Sequence, residues 1–173
     1  MACAITSGYA IDCRDSVGGI DAVYFAEFGN ITSIADSSGT VTGITKATGK
    51  RFYKFEVPTK STATATSNPQ PSTENGTLFF EQSVVLPINK RDATTRNIVT
   101  TLAKNKLIAV TKDKDGTYRM YGKEYGLYLD PSTGGTGAAA GDPNGYALTF
   151  TGVEKEDFFV VSPSVAAALE TAG

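Results

Sequence analysis

The chain has 173 residues, 40% hydrophobic and 20% charged, which is one domain's length and an ordinary globular composition. Sixteen basic and eighteen acidic residues leave a net charge of -2, so no basic excess points to nucleic acid and no charge block to a membrane surface. Histidine is absent, which excludes Ser-His-Asp and Cys-His mechanisms and removes the commonest general base and metal ligand.

The first residues lack the basic region and apolar run of a signal peptide. No window approaches the ~18 apolar residues of a membrane span. The expectation is a chain made in the cytoplasm, soluble before assembly and without a membrane anchor. Two cysteines, Cys3 and Cys13, are too few for a disulfide framework or a structural zinc site. They read as buried or half-buried thiols, with a local bridge as the alternative.

Residues 1–19 are mixed and end in Gly18-Gly19. Ile20–Phe28 reads as a strand, rich in aromatic and β-branched residues. Gly29-Asn30 breaks it, and Ile31–Ile34 can pair again nearby. Asp36–Gly39 is a turn by composition. Val41–Thr45 and Arg51–Val57 are further strands. From Pro58 to Asn75 the chain has no large apolar side chain and cannot bury enough surface to hold itself. Strand character resumes over Gly76–Leu86. The expectation is that 51–57 pairs with 76–86, making an extended hairpin with 58–75 as a long loop at its tip.

A helix is expected over 90–104, with Asp92 at its N-cap, Ile98, Val99 and Leu102 on its apolar face, and Asn105 as a left-handed C-cap. Its threonines weaken intrinsic propensity, so it needs a sheet to lie on. Leu107–Thr111 and Thr117–Tyr121 form a hairpin through Asp113–Gly116. Tyr125–Leu129 continues the sheet. A second small-residue loop spans 130–145. Tyr146–Phe150 alternates, with Tyr146, Leu148 and Phe150 on one face. Asp157–Val161 is a last strand, and the Ala-rich tail from Ser164 can form one or two helical turns.

Carboxylates for glycoside hydrolysis are present at Glu81, Glu124, Asp130 and the run Glu154–Asp157. Tryptophan, a common sugar platform, is absent, and the run reads as a solvated strand end. Asp113–Gly116 reads as a hairpin turn before a calcium loop. Asn75-Gly76-Thr77 reads as a turn before a glycosylation site. The glycines of 134–141 lack the Gly-Lys-Ser/Thr ending of a phosphate loop. No catalytic, cofactor-binding or metal-binding residues are expected, and no enzyme activity.

Several ordered pieces resemble a family of phage virion proteins common in viruses of Bacteroidetes. They are Asp15–Tyr24, Lys50–Glu56, Glu74–Thr77, Leu102–Leu107, Asp115–Tyr118, Tyr125–Leu127 and Gly145–Gly152. The order strand, long hairpin, helix, strand also resembles phage tail-tube proteins. That resemblance implies a single mainly β domain, a β-sandwich or barrel of antiparallel strands with one flanking helix. It implies homo-oligomeric, hexameric rings that stack around a lumen, passing genomic DNA without binding it specifically. Other virion proteins would be further partners, and the location would be the virion tail, assembled in the host bacterial cytoplasm.

By the same resemblance, 58–75 is an arm, and 1–19 and 162–173 are terminal assembly segments. The subunit interface would include Thr62, Thr64, Thr66, Asn68, Gln70, Ser72, Glu74, Asn75 and, on the helix, Arg96. Two alternatives stand beside this: a capsid decoration or head–tail connector protein, and a carbohydrate-binding β-sandwich using Tyr118, Tyr121, Tyr125 and Tyr128.

Overall fold

The computed structural model describes residues 7–10, 17–58 and 62–173. Cys3, Cys13 and most of segment 1–19 lie outside the described residues. The chain is mainly β. Strands β1 (Ile20–Glu27), β2 (Ile31–Ser37), β3 (Thr40–Lys46) and β4 (Tyr53–Glu56) come first, then β5 (Thr64–Ser72) and β6 (Thr77–Asn89). Helix α1 spans Ala93–Lys104. Then follow β7 (Leu107–Asp113), β8 (Tyr118–Tyr121), β9 (Tyr128–Leu129), β10 (Thr133–Gly135), β11 (Gly145–Glu154), β12 (Phe159–Val161) and the short helix α2 (Pro163–Ala167).

These strands make two sheets, a sandwich with α1 at its rim. The larger has the order β2-β3-β12-β8-β7-β1-β4. The smaller runs β10-β11-β6-β5, with β9 also on β11. Residues Val23, Phe25, Leu107 and Ala109 of the larger sheet meet Val84, Leu86, Leu148 and Phe150 of the smaller in one core. Tyr146, Leu148 and Phe150 share this inward face, as their alternation requires.

The larger sheet is buried on its other face too. Ala22, Tyr24, Ala26, Ile108 and Val110 form a second core with Val41, Phe52, Met120, Phe159, Val161 and Leu169. Two-sided burial explains the nearly unbroken apolar runs of β1 and β7. The lid on this second core is the chain's own C-terminal tail. Leu169 is 1% exposed. The Lys46 ammonium donates to the carbonyls of Ala168 at 2.6 Å, Leu169 at 3.2 Å and Thr171 at 2.7 Å. The tail of 162–173 is therefore packed on its own domain.

Two pairings differ from the sequence reading. β4 pairs with β1, not with the strand after Gly76. β6 pairs instead with β5 and β11. The described part of 58–75 is not a structureless loop: Thr64–Ser72 is a nine-residue strand. An edge strand needs only one buried face and one paired edge. Ala65 turns to the core, and the polar alternates face water. Pro69 and Pro71 fit there because an edge strand does not need every N–H.

At α1 the Asp92 side chain accepts from the Thr95 N–H at 2.7 Å, as expected of an N-cap. Asn105 differs. Its backbone is extended, with φ -109°, and its side-chain Nδ2 donates to the Thr101 carbonyl at 2.9 Å. A side-chain bond satisfies that carbonyl without a left-handed residue.

Candidate functional site

The ladder between β6 and β11 stops at Phe80, paired with Glu154. The ladder between β6 and β5 continues to Ser72–Thr77. The end of this hairpin therefore projects past β11 as a two-stranded arm closed by Thr73–Gly76. Along Thr77–Phe79, no strand among the described residues pairs with the side of β6 that β11 covers further on. The inward-facing positions of the arm are Pro69, Pro71, Leu78 and Phe80. Leu78 lies beyond the core and is 56% exposed. Glu74 is the acidic residue of the tip.

At the other end of β6 the chain turns into α1 within four residues. Thirteen residues of strand separate the two ends, about 40 Å at ~3.4 Å per residue. Here α1 and β4 bound a cleft of about 840 Å³. Its apolar lining includes Phe25, Tyr53, Phe55, Ile98, Leu102 and Leu107, and its charged lining is Lys50, Arg51 and Lys54 with Glu27 and Glu56, Lys54 and Glu56 being paired at 3.1 Å. Tyr53 is 57% exposed and Ile98 39%. The Arg51 guanidinium lies 5.4 Å from the Tyr53 ring centroid. β4 is also an edge of the larger sheet, since β1 is its neighbour on one side only.

The expected interface residues divide between these places. Thr64, Thr66, Asn68, Gln70 and Ser72 share the outward face of β5. Thr62 is exposed just before that strand. Glu74 and Asn75 occupy the arm's turn. Arg96 is exposed on the first turns of α1, at the opposite end of β6. The structure thus joins the arm residues to one another and sets Arg96 apart. Nothing in the sequence marks the inward residues Pro71 and Leu78, because strand parity is invisible without the register.

The run Glu154–Asp157 is not wholly a solvated strand end. Glu154 is 3% exposed. It accepts the N–H of Glu124 at 2.9 Å, of Tyr125 at 2.9 Å and of Gly126 at 3.1 Å. Burial pushes its carboxyl up, against those three bonds, which favour the ionised form. The Gln82 side chain, also buried, accepts from Gly122 at 2.9 Å. These two side chains tie the 122–126 turn to the smaller sheet. Of the four tyrosines considered for sugar stacking, Tyr121 is buried and Tyr118 half-buried, while Tyr125 and Tyr128 are exposed. Among the described residues no group of three or more Cys, Asp or Glu side chains is placed to hold a metal ion.

No protein-family model, no curated protein and no solved structure matches this chain.

Proposed function

We propose that the chain is a structural virion subunit that assembles with copies of itself, and that stacked rings of a phage tail tube are the form it takes. The self-assembly part of this reading is carried by the placement of the arm and the cleft at opposite ends of β6, and the virion and tail-tube part rests on the sequence resemblance alone. The arm presents an apolar underside at Leu78, Pro71 and Phe80, an acidic tip at Glu74 and a short unpaired length of strand. The cleft offers an apolar floor, the basic residues Lys50 and Arg51, and the open edge of β4.

The two surfaces are complementary in polarity and backbone, and Lys50 and Arg51 on the cleft's rim suit the acidic tip although Glu27 and Glu56 line the same cleft. Docking the arm of one copy in the cleft of the next adds Thr77–Phe79 to the β4 edge, a strand-addition contact. It also covers edges that would otherwise invite uncontrolled pairing. Because the two surfaces differ, the contact is head-to-tail. Such contacts give rings where the rotation closes and filaments where it does not. Pro69 and Pro71 restrict strand addition on the outer edge of β5, which keeps the assembly to one route.

Negative-stain microscopy with sedimentation velocity tests the proposal. The wild-type chain is expected to form rings or tubes. Leu78→Asp is expected to give a folded monomer, because it would bury a carboxylate against the apolar floor of the cleft in place of an apolar side chain. A monodisperse wild-type monomer under all conditions, or unchanged assembly of Leu78→Asp, would refute it.

A further inference from the structure

The outward face of the smaller sheet carries polar residues on each strand, with Phe79, Val85 and Val153 among them. Register sets Asn68 opposite Glu81 and Thr66 opposite Ser83, and Ser83 opposite Thr151. In this face lies a concavity of about 360 Å³ with Asn68, Glu81, Ser83, Asp130, Thr151 and Val153 in its lining. That volume is at the lower end of small-ligand clefts.

Both carboxylates are held in place. The Asp130 carboxylate accepts from the Thr151 hydroxyl at 2.9 Å. The Glu81 carboxylate accepts from the Gln70 amide at 2.9 Å. On the same face, outside the concavity's lining, is an aromatic ring that the core does not use. Tyr128 pairs with Thr151 and so shares the outward face, and it is 56% exposed. The Lys106 ammonium lies 6.0 Å from its centroid.

This set has one chemical class of ligand in common. Fixed carboxylates and a side-chain amide take hydrogen bonds from neighbouring hydroxyls. An exposed tyrosine face covers the C–H face of a sugar ring, and its hydroxyl stays wet. Two carboxylates on the walls repel anionic ligands. We propose that this face binds a neutral glycan, with Asp130, Glu81 and Asn68 holding ring hydroxyls and Tyr128 stacking on the adjoining sugar. Asn68 then faces a ligand, whatever the arm does. The inference is independent of the assembly reading, because the cleft and the arm tip take no part in it.

Affinity electrophoresis in gels containing laminarin, xylan, mannan or dextran, with polygalacturonate as the anionic comparison, tests it. The wild-type chain is expected to be retarded by at least one neutral polysaccharide and not by polygalacturonate. Tyr128→Ala is expected to weaken binding roughly tenfold, and Asp130→Asn to weaken it too. Tyr128→Phe should keep the stack and the retardation. Circular dichroism establishes that each variant is folded. Absence of retardation in all four neutral gels overturns the proposal. So does retardation that survives both Tyr128→Ala and Asp130→Asn in folded protein, or retardation by polygalacturonate alone.

Discussion

Glu154 is the clearest case of a single side chain organising its surroundings. Its carboxylate satisfies three backbone N–H groups of one turn. Removing it orphans those donors where water enters poorly. Glu154→Ala is therefore expected to lower stability by about 2–4 kcal/mol in urea unfolding. The pH dependence has a definite sign. Burial holds the folded carboxyl above its ordinary 4.5, so the folded chain binds that proton more tightly than the unfolded chain. The resulting stabilisation is fully present below the unfolded value and is lost as pH rises through the folded one. Glu154→Gln cannot titrate, and one oxygen remains to accept from the turn. Its stability should change less with pH just above 4.5 than the wild type's. An identical slope would mean that another group carries the effect. Gly122 belongs to the same turn at φ +74°, and a Cβ there would come within 2.8 Å of the Leu127 side chain.

At the scale of elements, the strands with strong alternation or unbroken apolar runs were legible in the sequence. β1, β7, β11 and the 113–116 hairpin turn lie close to where their residues put them, because burial on one or two faces leaves a direct pattern. Helix α1 and its Asp92 cap were legible for the same kind of local reason. β5 was not. Its threonines favour strands, but serine, asparagine, glutamine and two prolines give no apolar alternation, and only its partner β6 makes it a strand. Pairing of β4 with β1 was equally hidden, since register and partner depend on distant residues. The expected arm thus shrank from a loop over 58–75 to a hairpin end around Thr73–Leu78, and the cleft facing α1 came from the structure alone. The C-terminal tail shows the same limit: an Ala-rich stretch conceals one buried leucine. Leu169→Ala is expected to cost about 2–4 kcal/mol, read as a lower urea midpoint with unchanged slope. A cost near zero would mean that the tail is not the lid of the second core.

For the whole molecule, the two sheets and two cores hold the arm and the cleft on one body. The arm and the cleft lie about 40 Å apart along β6 at ~3.4 Å per residue, so one copy cannot satisfy its own arm. The proposed contact is accordingly head-to-tail, between unlike surfaces of two copies. Mixing two defective chains tests it most directly. Leu78→Asp spoils the arm and leaves the cleft; Ile98→Asp, on the exposed flank of α1, spoils the cleft and leaves the arm. Sedimentation velocity should find each variant monomeric alone, and the equimolar mixture should give a dimer and nothing larger, since only one competent pair of surfaces remains. Assembly of either variant by itself, or a mixture that stays monomeric, would contradict the claim.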